Sequence, residues 1–419
     1  MKNKQLILEN CCLIDANNAE PSAPCSVIIK DDVIDAITNE RCTDEHAQRI
    51  DCSQQFVLPG LIDNHVHLLA AQFDLMDADL PEDYIAIQAK TYMERFLQRG
   101  FTTVRDAGGA GFGLKLAMER GLINGPRLFL SCKALSQTGG HGDYHTRNTP
   151  FDPQFCRCGG SNMSVIADGV AAVRKMAREQ LRKGANQIKI MASGGVSSPT
   201  DRVQDVQFSG EEIRAIVEEA QHVDTYVMAH AYAPAAIEHC VRNGVRTIEH
   251  GNLLDAQAAA LMREHGAYLV PTVVAYHAIA SIGAEEGFPA DSIAKVGEVL
   301  EVAVQAIEIA REAGVKVGFG TDLLGPRAHE LQGDEFTIRG AGAETAHQII
   351  SSATAVNAEI LQQEGTLGIL QEKAFADLIV VDGNPLEDLS LLAGQGEHLV
   401  LIMKAGKIYK NTLSFPQNL

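Results

Sequence analysis

Two histidines one residue apart, His65 and His67, close an apolar run in the stretch LPGLIDNHVHLL, residues 58–69. In an extended strand alternate side chains leave the same face, so both imidazoles would aim at one point. Taken alone, such a pair suits a polar strand edge as readily as a metal ion. Further donors must come from elsewhere. Four candidates stand at comparable places: Lys189 within QIKIMASGG, His230 after TYVMA, His250 after RTIE, and Asp322 after VGFGT. Each has an ordinary reading of its own. A histidine at a strand end can be a hydrogen-bonded structural residue, a lysine in an apolar strand can reach outward along its stem, and the aspartate of GTD can cap a turn. What these readings do not explain is why all of them recur at the same end of a strand.

The elements that would position them alternate regularly. DGVAAVRKMAREQLRKGA reads as a helix with a Gly stop, and QIKIMA follows as a strand. SGEEIRAIVEEAQHVD opens on a capping box, Ser with Glu three residues on, and leads into TYVMAH. APAAIEHCVRNG precedes VRTIEH, DAQAAALMREHG precedes AYLVPT, and EVAVQAIEIAREAG precedes VKVGFGTD. This alternation predicts a parallel sheet wrapped by helices. About eight strands over about 300 residues favour a (β/α)8 TIM-like barrel, whose active site lies at the carboxyl ends of its strands. An internal control exists: EHG occurs at 249–251 after a strand and at 264–266 after a helix, so His250 is selected and His265 is not. His222, His239 and His277 read as helix-surface or loop residues. Short β segments at both ends predict a small β-sandwich built from residues 1–57 and 365–419, flanking a barrel of residues 58–364.

The 419 residues suffice for a large core and more than one domain. A formal net charge of −19 argues against a nucleic-acid surface. No apolar run approaches the ~20 residues of a membrane span. The first residues lack the long apolar stretch of a secretory signal. Nine scattered cysteines suit a reducing compartment, and the expectation is a cytoplasmic protein. Cys156 and Cys158 have no partner pair at metal-site spacing and are read as loop residues. An acidic barrel with a β-sandwich is compatible with a homo-oligomer, without specifying one.

LPGLIDNHVH, the lysine of IKIMASGG, MAHAY, IEHG, GTD and the closing GTLGILQEKAFADLIVVDGNPLED together resemble the amidohydrolase superfamily. The likeness spans nearly the whole chain and falls in the branch of imidazolonepropionase-like enzymes and prolidase-like Xaa-Pro dipeptidases. It implies two divalent metal ions, zinc by the donor types. His65, His67 and Asp322 would hold one and His230 and His250 the other, with Lys189 carboxylated by CO2 and bridging both. Two ions sharing a water would make it acidic enough to act near neutral pH. Asp322 would take its proton and pass it to the leaving nitrogen. The reaction implied is hydrolysis of a C–N bond.

SQTGGHGDYH, residues 136–145, resembles the TGGHGD loop of the prolidase-like members. By that match His141 would polarise the carbonyl or bind the substrate carboxylate. Tyr232, two residues after His230, would face the same side and donate a phenolic hydrogen bond. Arg202 and His329 are further candidates for the substrate. Relatives often carry an HG-x-N-like stretch after the GTD, whereas here His329 lacks the following Gly, which leaves that loop's role open. The expected substrate is a dipeptide, Xaa-Pro or a related N-acyl amino acid. Alternatives are a carboxypeptidase for C-terminal Arg or Lys, a cyclic-amide hydrolase of imidazolonepropionase type, and a non-catalytic interaction protein. The loops show no acidic cluster for a basic side chain, Lys189 disfavours a mononuclear deaminase, and a dead scaffold tends to lose ligands.

Overall fold

The computed structural model describes residues 5–40, 44, 46–73, 80–145, 163–197 and 201–413. Cys156 and Cys158 lie outside them. The chain is an α/β protein, and its strands form two parallel sheets and one mainly antiparallel sheet.

Six parallel strands run in the order Ser164–Ile166, Ala134–Ser136, Ile188–Met191, Val227–Ala231, Thr247–His250 and Tyr268–Val270. Three more, Leu61–Val66, Phe101–Asp106 and Arg127–Leu130, form a second parallel sheet. Several of these strands, Ile188–Met191 and Thr247–His250 among them, are buried along their whole length. This follows from helices covering one face while the other meets neighbouring strands. Val170–Arg182, Gly210–Gln221, Pro234–Arg242 and Ala256–Glu264 are the connecting helices. The Ser209–Glu212 capping box is formed: Glu212 N–H donates to Ser209 Oγ at 3.3 Å, and Ser209 N–H to Glu212 Oε2 at 2.7 Å. A cap of this kind contributes about 1 kcal/mol to starting the helix where the sequence places it.

The ladder is not continuous around the parallel strands; a few backbone bonds at each junction join the two sheets. Asn186 N–H donates to Leu130 O at 2.7 Å, Gly318 N–H to Leu269 O at 2.7 Å, and Asn64 N–H to Phe319 O at 2.9 Å. Val317 bridges Leu269 in parallel. The helix expected from residue 301 begins earlier, at Ala290, and a further helix occupies Val273–Ile282.

Both ends of the chain enter one eight-stranded sheet. Leu6–Leu13 is its pivot, pairing with Cys25–Lys30 and Gln48–Asp51 before a bulge, and with Phe56–Pro59 through Cys12 and Leu13 after it. Leu378–Val381 pairs antiparallel with Phe56–Pro59. Leu8, Val27, Ile50, Val57, Leu378, Val380 and Leu401 form the core enclosed by this folded sheet. Leu58, Ile379, Val381 and Ile402 alternate to the other face and share a second core with Tyr92, Phe96 and Leu97 of helix Glu82–Gln98. The sheet is thereby locked to the parallel strands through apolar packing, which fixes the floor beneath His65 and His67.

Candidate metal centre and substrate cleft

The strand ends converge. His65 Nε2 and His67 Nε2 lie 3.4 and 3.1 Å from the same oxygen of Asp322, and the other Asp322 oxygen is 3.9 Å from His250 Nδ1. The His250 ring centroid is 5.1 Å from that of His65 and 4.5 Å from that of His230. Lys189 is buried beside them.

Local backbone geometry makes this possible. Glu249 and His250 are consecutive and would face opposite sides of a regular strand. His250, however, has φ 73°, which takes it out of the pleat and lets both side chains turn inward. Thr272 (φ 48°) and Asp322 (φ 52°) are left-handed too, a conformation that costs free energy in non-glycine residues and gathers at functional sites. The Asp322 turn is held by its N–H donating to His65 O at 2.7 Å.

Each histidine has one ring nitrogen engaged by the protein. His65 Nδ1 meets Glu249 Oε2 at 2.7 Å, His67 Nδ1 meets Gly108 O at 3.0 Å, His230 Nε2 meets Gly194 O at 3.2 Å, and His250 Nδ1 meets Thr272 Oγ1 at 2.8 Å. Such partners fix the tautomer and leave the other nitrogen as a donor to a cation. His65 Nε2 is a buried atom without a hydrogen bond, the mark of a ligand position. His65, His250 and Asp322 offer ligand atoms that all lie within 4.8 Å of one another. The donor set fits divalent metal.

Electrostatics agree. Burial, with neighbouring imidazoles and Lys189, holds His230 and His250 far below the usual imidazole range, in the neutral form that binds metal. Burial works against the His67 cation, but the hydrogen bond and charge of Asp322 prevail and raise it. Burial would raise Asp322 as well, yet His65, His67 and His250 hold it well below the carboxylate range. Among the described residues Lys189 has no ion pair, and burial brings its ammonium down to about 8, so a neutral amine is accessible.

A layer that sequence reasoning missed supports the ligands. Glu249 is fully buried, both its oxygens accept from Arg105 Nη2 at 2.9 and 3.0 Å, and it holds His65. Arg105 also donates to Asn64 O at 2.7 Å. Asp106 accepts from the N–H groups of Leu68, Gly108 and Ala110 at 2.9–3.1 Å, shaping the turn that receives His67. The available signal was the charge in TTVRDAGG and RTIEH, polar residues inside otherwise apolar strands.

On the cleft side, His141 stacks on His230 with centroids 4.1 Å apart, and its Nδ1 is 3.8 Å from buried Asp201. Tyr232 stacks on His250 at 5.2 Å and receives a hydrogen bond from Tyr276 OH at 2.9 Å. His141, His230, Tyr232 and Asp322 line a cleft whose other walls include Phe73, Ile279 and Leu323. Two expected residues are not brought there. His329 stacks on Tyr92 at 4.0 Å beneath helix Glu82–Gln98, its Nδ1 bonded to Gly325 O at 2.7 Å. Arg202 has a largely exposed side chain and pairs with Asp205 at 2.6 Å.

Parallel strands with wrapping helices thus carry, at their carboxyl ends, a histidine–carboxylate cluster that could hold a divalent metal. The chain belongs to the amidohydrolase family, whose profile matches residues 56–409, and it is an enzyme that hydrolyses amide bonds. A crystal structure of a prolidase complexed with N-methylphosphonate-L-proline superposes with a TM-score of 0.94 at 46% identity, over 98% of this chain and 100% of that one. A Xaa-Pro dipeptidase with bound methionine gives 0.87 at 31% identity, covering 97% and 100%. Ochratoxinase from Aspergillus niger is 32% identical over 95% of this chain and 85% of its own. The prolidase-like branch of the family is therefore the right one.

Proposed function

We propose that the protein is a binuclear metal-dependent dipeptidase of prolidase-like preference, cleaving Xaa-Pro and related N-acyl amino-acid bonds. The observation that carries this reading is the convergence of His65, His67, His250 and Asp322, with His230 and Lys189 beside them, under a largely apolar cleft. In this reading Leu61–Val66, Phe101–Asp106, Arg127–Leu130, Ile188–Met191, Val227–Ala231, Thr247–His250, Tyr268–Val270 and the segment at Val317 are the eight staves of a barrel of residues 58–364, and residues 1–57 with 365–419 form the companion β domain.

His65, His67 and Asp322 would hold one divalent ion and His230 and His250 the second, with the carbamate of Lys189 between them. The accessible neutral amine of Lys189 is the form that reacts with CO2. When bound, the ions acidify water and polarise the scissile carbonyl. Asp322 takes the proton of the attacking water and delivers it to the departing nitrogen, which could not leave as an amide anion. Tyr232 and His141 bind the substrate carboxylate, while Phe73, Ile279 and Leu323 receive the apolar ring of a C-terminal proline and exclude water.

The test is metal analysis of the purified protein together with free amino-acid release from Xaa-Pro, Xaa-Arg and N-acyl amino-acid panels. About two ions per chain with Xaa-Pro turnover is expected. Turnover confined to Xaa-Arg would replace the substrate assignment, and two ions with no cleavage of any member would move it to cyclic amides. A folded protein that takes up no zinc in the presence of bicarbonate would end the metal mechanism.

A further inference from the structure

Behind Tyr232 stands a chain of hydrogen-bonding groups with no assigned role. It begins at His250, whose Nδ1 meets Thr272 Oγ1 at 2.8 Å. The Thr272 hydroxyl stands close enough to the Tyr276 phenol to counter part of the rise that burial imposes on it. Tyr276 OH donates to Tyr232 OH at 2.9 Å. Thr272 lies two residues beyond the strand Tyr268–Val270, in the left-handed region, and Tyr276 sits on the first turn of the helix that follows, Val273–Ile282. All four side chains are at most 1% exposed, and Tyr232 and Tyr276 border the cleft beside Asp322 and His141.

The bond that matters is the one from Tyr276 to Tyr232. A hydroxyl holds one proton, so with its oxygen accepting from Tyr276 behind it, the Tyr232 proton is left to point away from Tyr276. The Tyr232 hydroxyl thus presents an O–H donor at the wall of the cleft.

We propose that Tyr276 is a positioning residue for substrate selection: it orients the Tyr232 phenol as a donor and so makes the enzyme select a free C-terminal carboxylate over a neutral amide. This rests on the dipeptidase reading for the ligand but not for the hydrogen-bond chain. Tyr276 touches no reacting atom in this account; it acts through Tyr232. Loss of its hydroxyl leaves the Tyr232 proton free to turn back into the protein, so the cost falls on carboxylate binding and not on bond cleavage.

The experiment compares each dipeptide acid with its C-terminal amide in the wild type, Tyr276→Phe, Tyr232→Phe and the double variant, with far-UV circular dichroism as the check on folding. Tyr276→Phe should raise KM for the acid about two- to twelvefold, the scale of a hydrogen bond between neutral groups, with much smaller effects on its kcat and on the amide. Because Tyr276 acts through Tyr232, the double variant should be no worse than Tyr232→Phe alone. Competitive inhibition by L-proline against L-prolinamide should show the same loss of preference. A fall in kcat shared by acid and amide, or additive effects in the double variant, would overturn the proposal. If the wild type ignores Xaa-Pro but cleaves another acyl amino acid, the acid-to-amide ratio is read on that substrate; the Xaa-Pro assignment then falls while this proposal is still decided. A wild type with no acid preference removes the proposal and leaves the dipeptidase reading intact. No turnover on any member removes both.

Discussion

Replacing Glu249 by Gln keeps the shape of the side chain and removes its charge at the most interconnected point of the site. Glu249 is completely buried, pairs with Arg105 at 2.9 and 3.0 Å, and receives His65 Nδ1 at 2.7 Å. Removing one member of a buried ion pair strands the other, at a cost of about 3–5 kcal/mol. That is a large part of the 5–15 kcal/mol typical of a whole protein. His65 also loses the carboxylate that fixes its tautomer, a change that typically weakens metal binding about 10- to 100-fold. Glu249→Gln should therefore show both losses. The chain has no Trp, so urea unfolding is best followed by far-UV circular dichroism, with zinc affinity measured by competition against a chromophoric chelator. A companion double variant, Arg105→Met with Glu249→Leu, separates the two effects. An apolar pair can replace a buried ion pair without loss of stability, so stability should return while zinc affinity stays low. If Glu249→Gln unfolds within about 0.5 kcal/mol of the wild type and binds zinc within about twofold, the supporting role assigned to Glu249 is wrong. If the double variant regains affinity as well, Glu249 acts only through the fold.

Two further outcomes follow from single residues. Glu335 is buried beneath helix Val273–Ile282, accepts from Val274 N–H at 2.7 Å, and is raised by burial from 4.5 to about 8. Between those pH values the folded state holds a proton that the unfolded state has released, so stability falls as pH rises, by about 1.4 kcal/mol per unit at the steepest; Glu335→Gln should remove that slope, and parallel stability curves for the two proteins would refute it. At Gly195 an added methyl would stand within 3.0 Å of three atoms of the His141 ring. Gly195→Ala should displace that imidazole and lower kcat/KM up to about 100-fold with the melting temperature nearly kept, whereas unchanged kinetics would place His141 outside the reaction.

The strand ends were the legible part of this chain. His65, His67, His230, His250 and Asp322 each follow a short β-rich run, and the helices between them carry their own start and stop signals. The prediction that His250 and not His265 reaches the centre needed only the type of the preceding element. What lay hidden depends on departures from regular geometry. Glu249 sits next to His250, and period-two reasoning puts the two on opposite faces; only the left-handed backbone at His250 brings them together. Tyr276 was missed because VVAYHAIASI is apolar almost throughout and shows no helical stripe. His329 was drawn to the site by its nearness to Asp322 in sequence, but the Gly325–Ala328 turn swings it under helix Glu82–Gln98, where stacking on Tyr92 holds it. Closure of the parallel strands was likewise expected in a form more regular than the few bonds that join the two sheets.

The pairing of Phe56–Pro59 with Leu378–Val381 has a consequence for how the molecule is made. At roughly 5–20 residues per second, a ribosome needs about 15–60 s to travel from one strand to the other. Throughout that interval the earlier strand has an open edge, and Val57 and Leu58 lack the partners that later bury them. The apolar layer behind the strand of His65 is thus completed by residues that emerge long after it. A nascent chain can assemble its helix–strand units in order, but His65 and His67 gain their final support only after Leu378 has emerged. An interruption of translation before Leu378 would release a species with an unpaired apolar strand, so the window for chaperone dependence and aggregation closes only when that strand arrives.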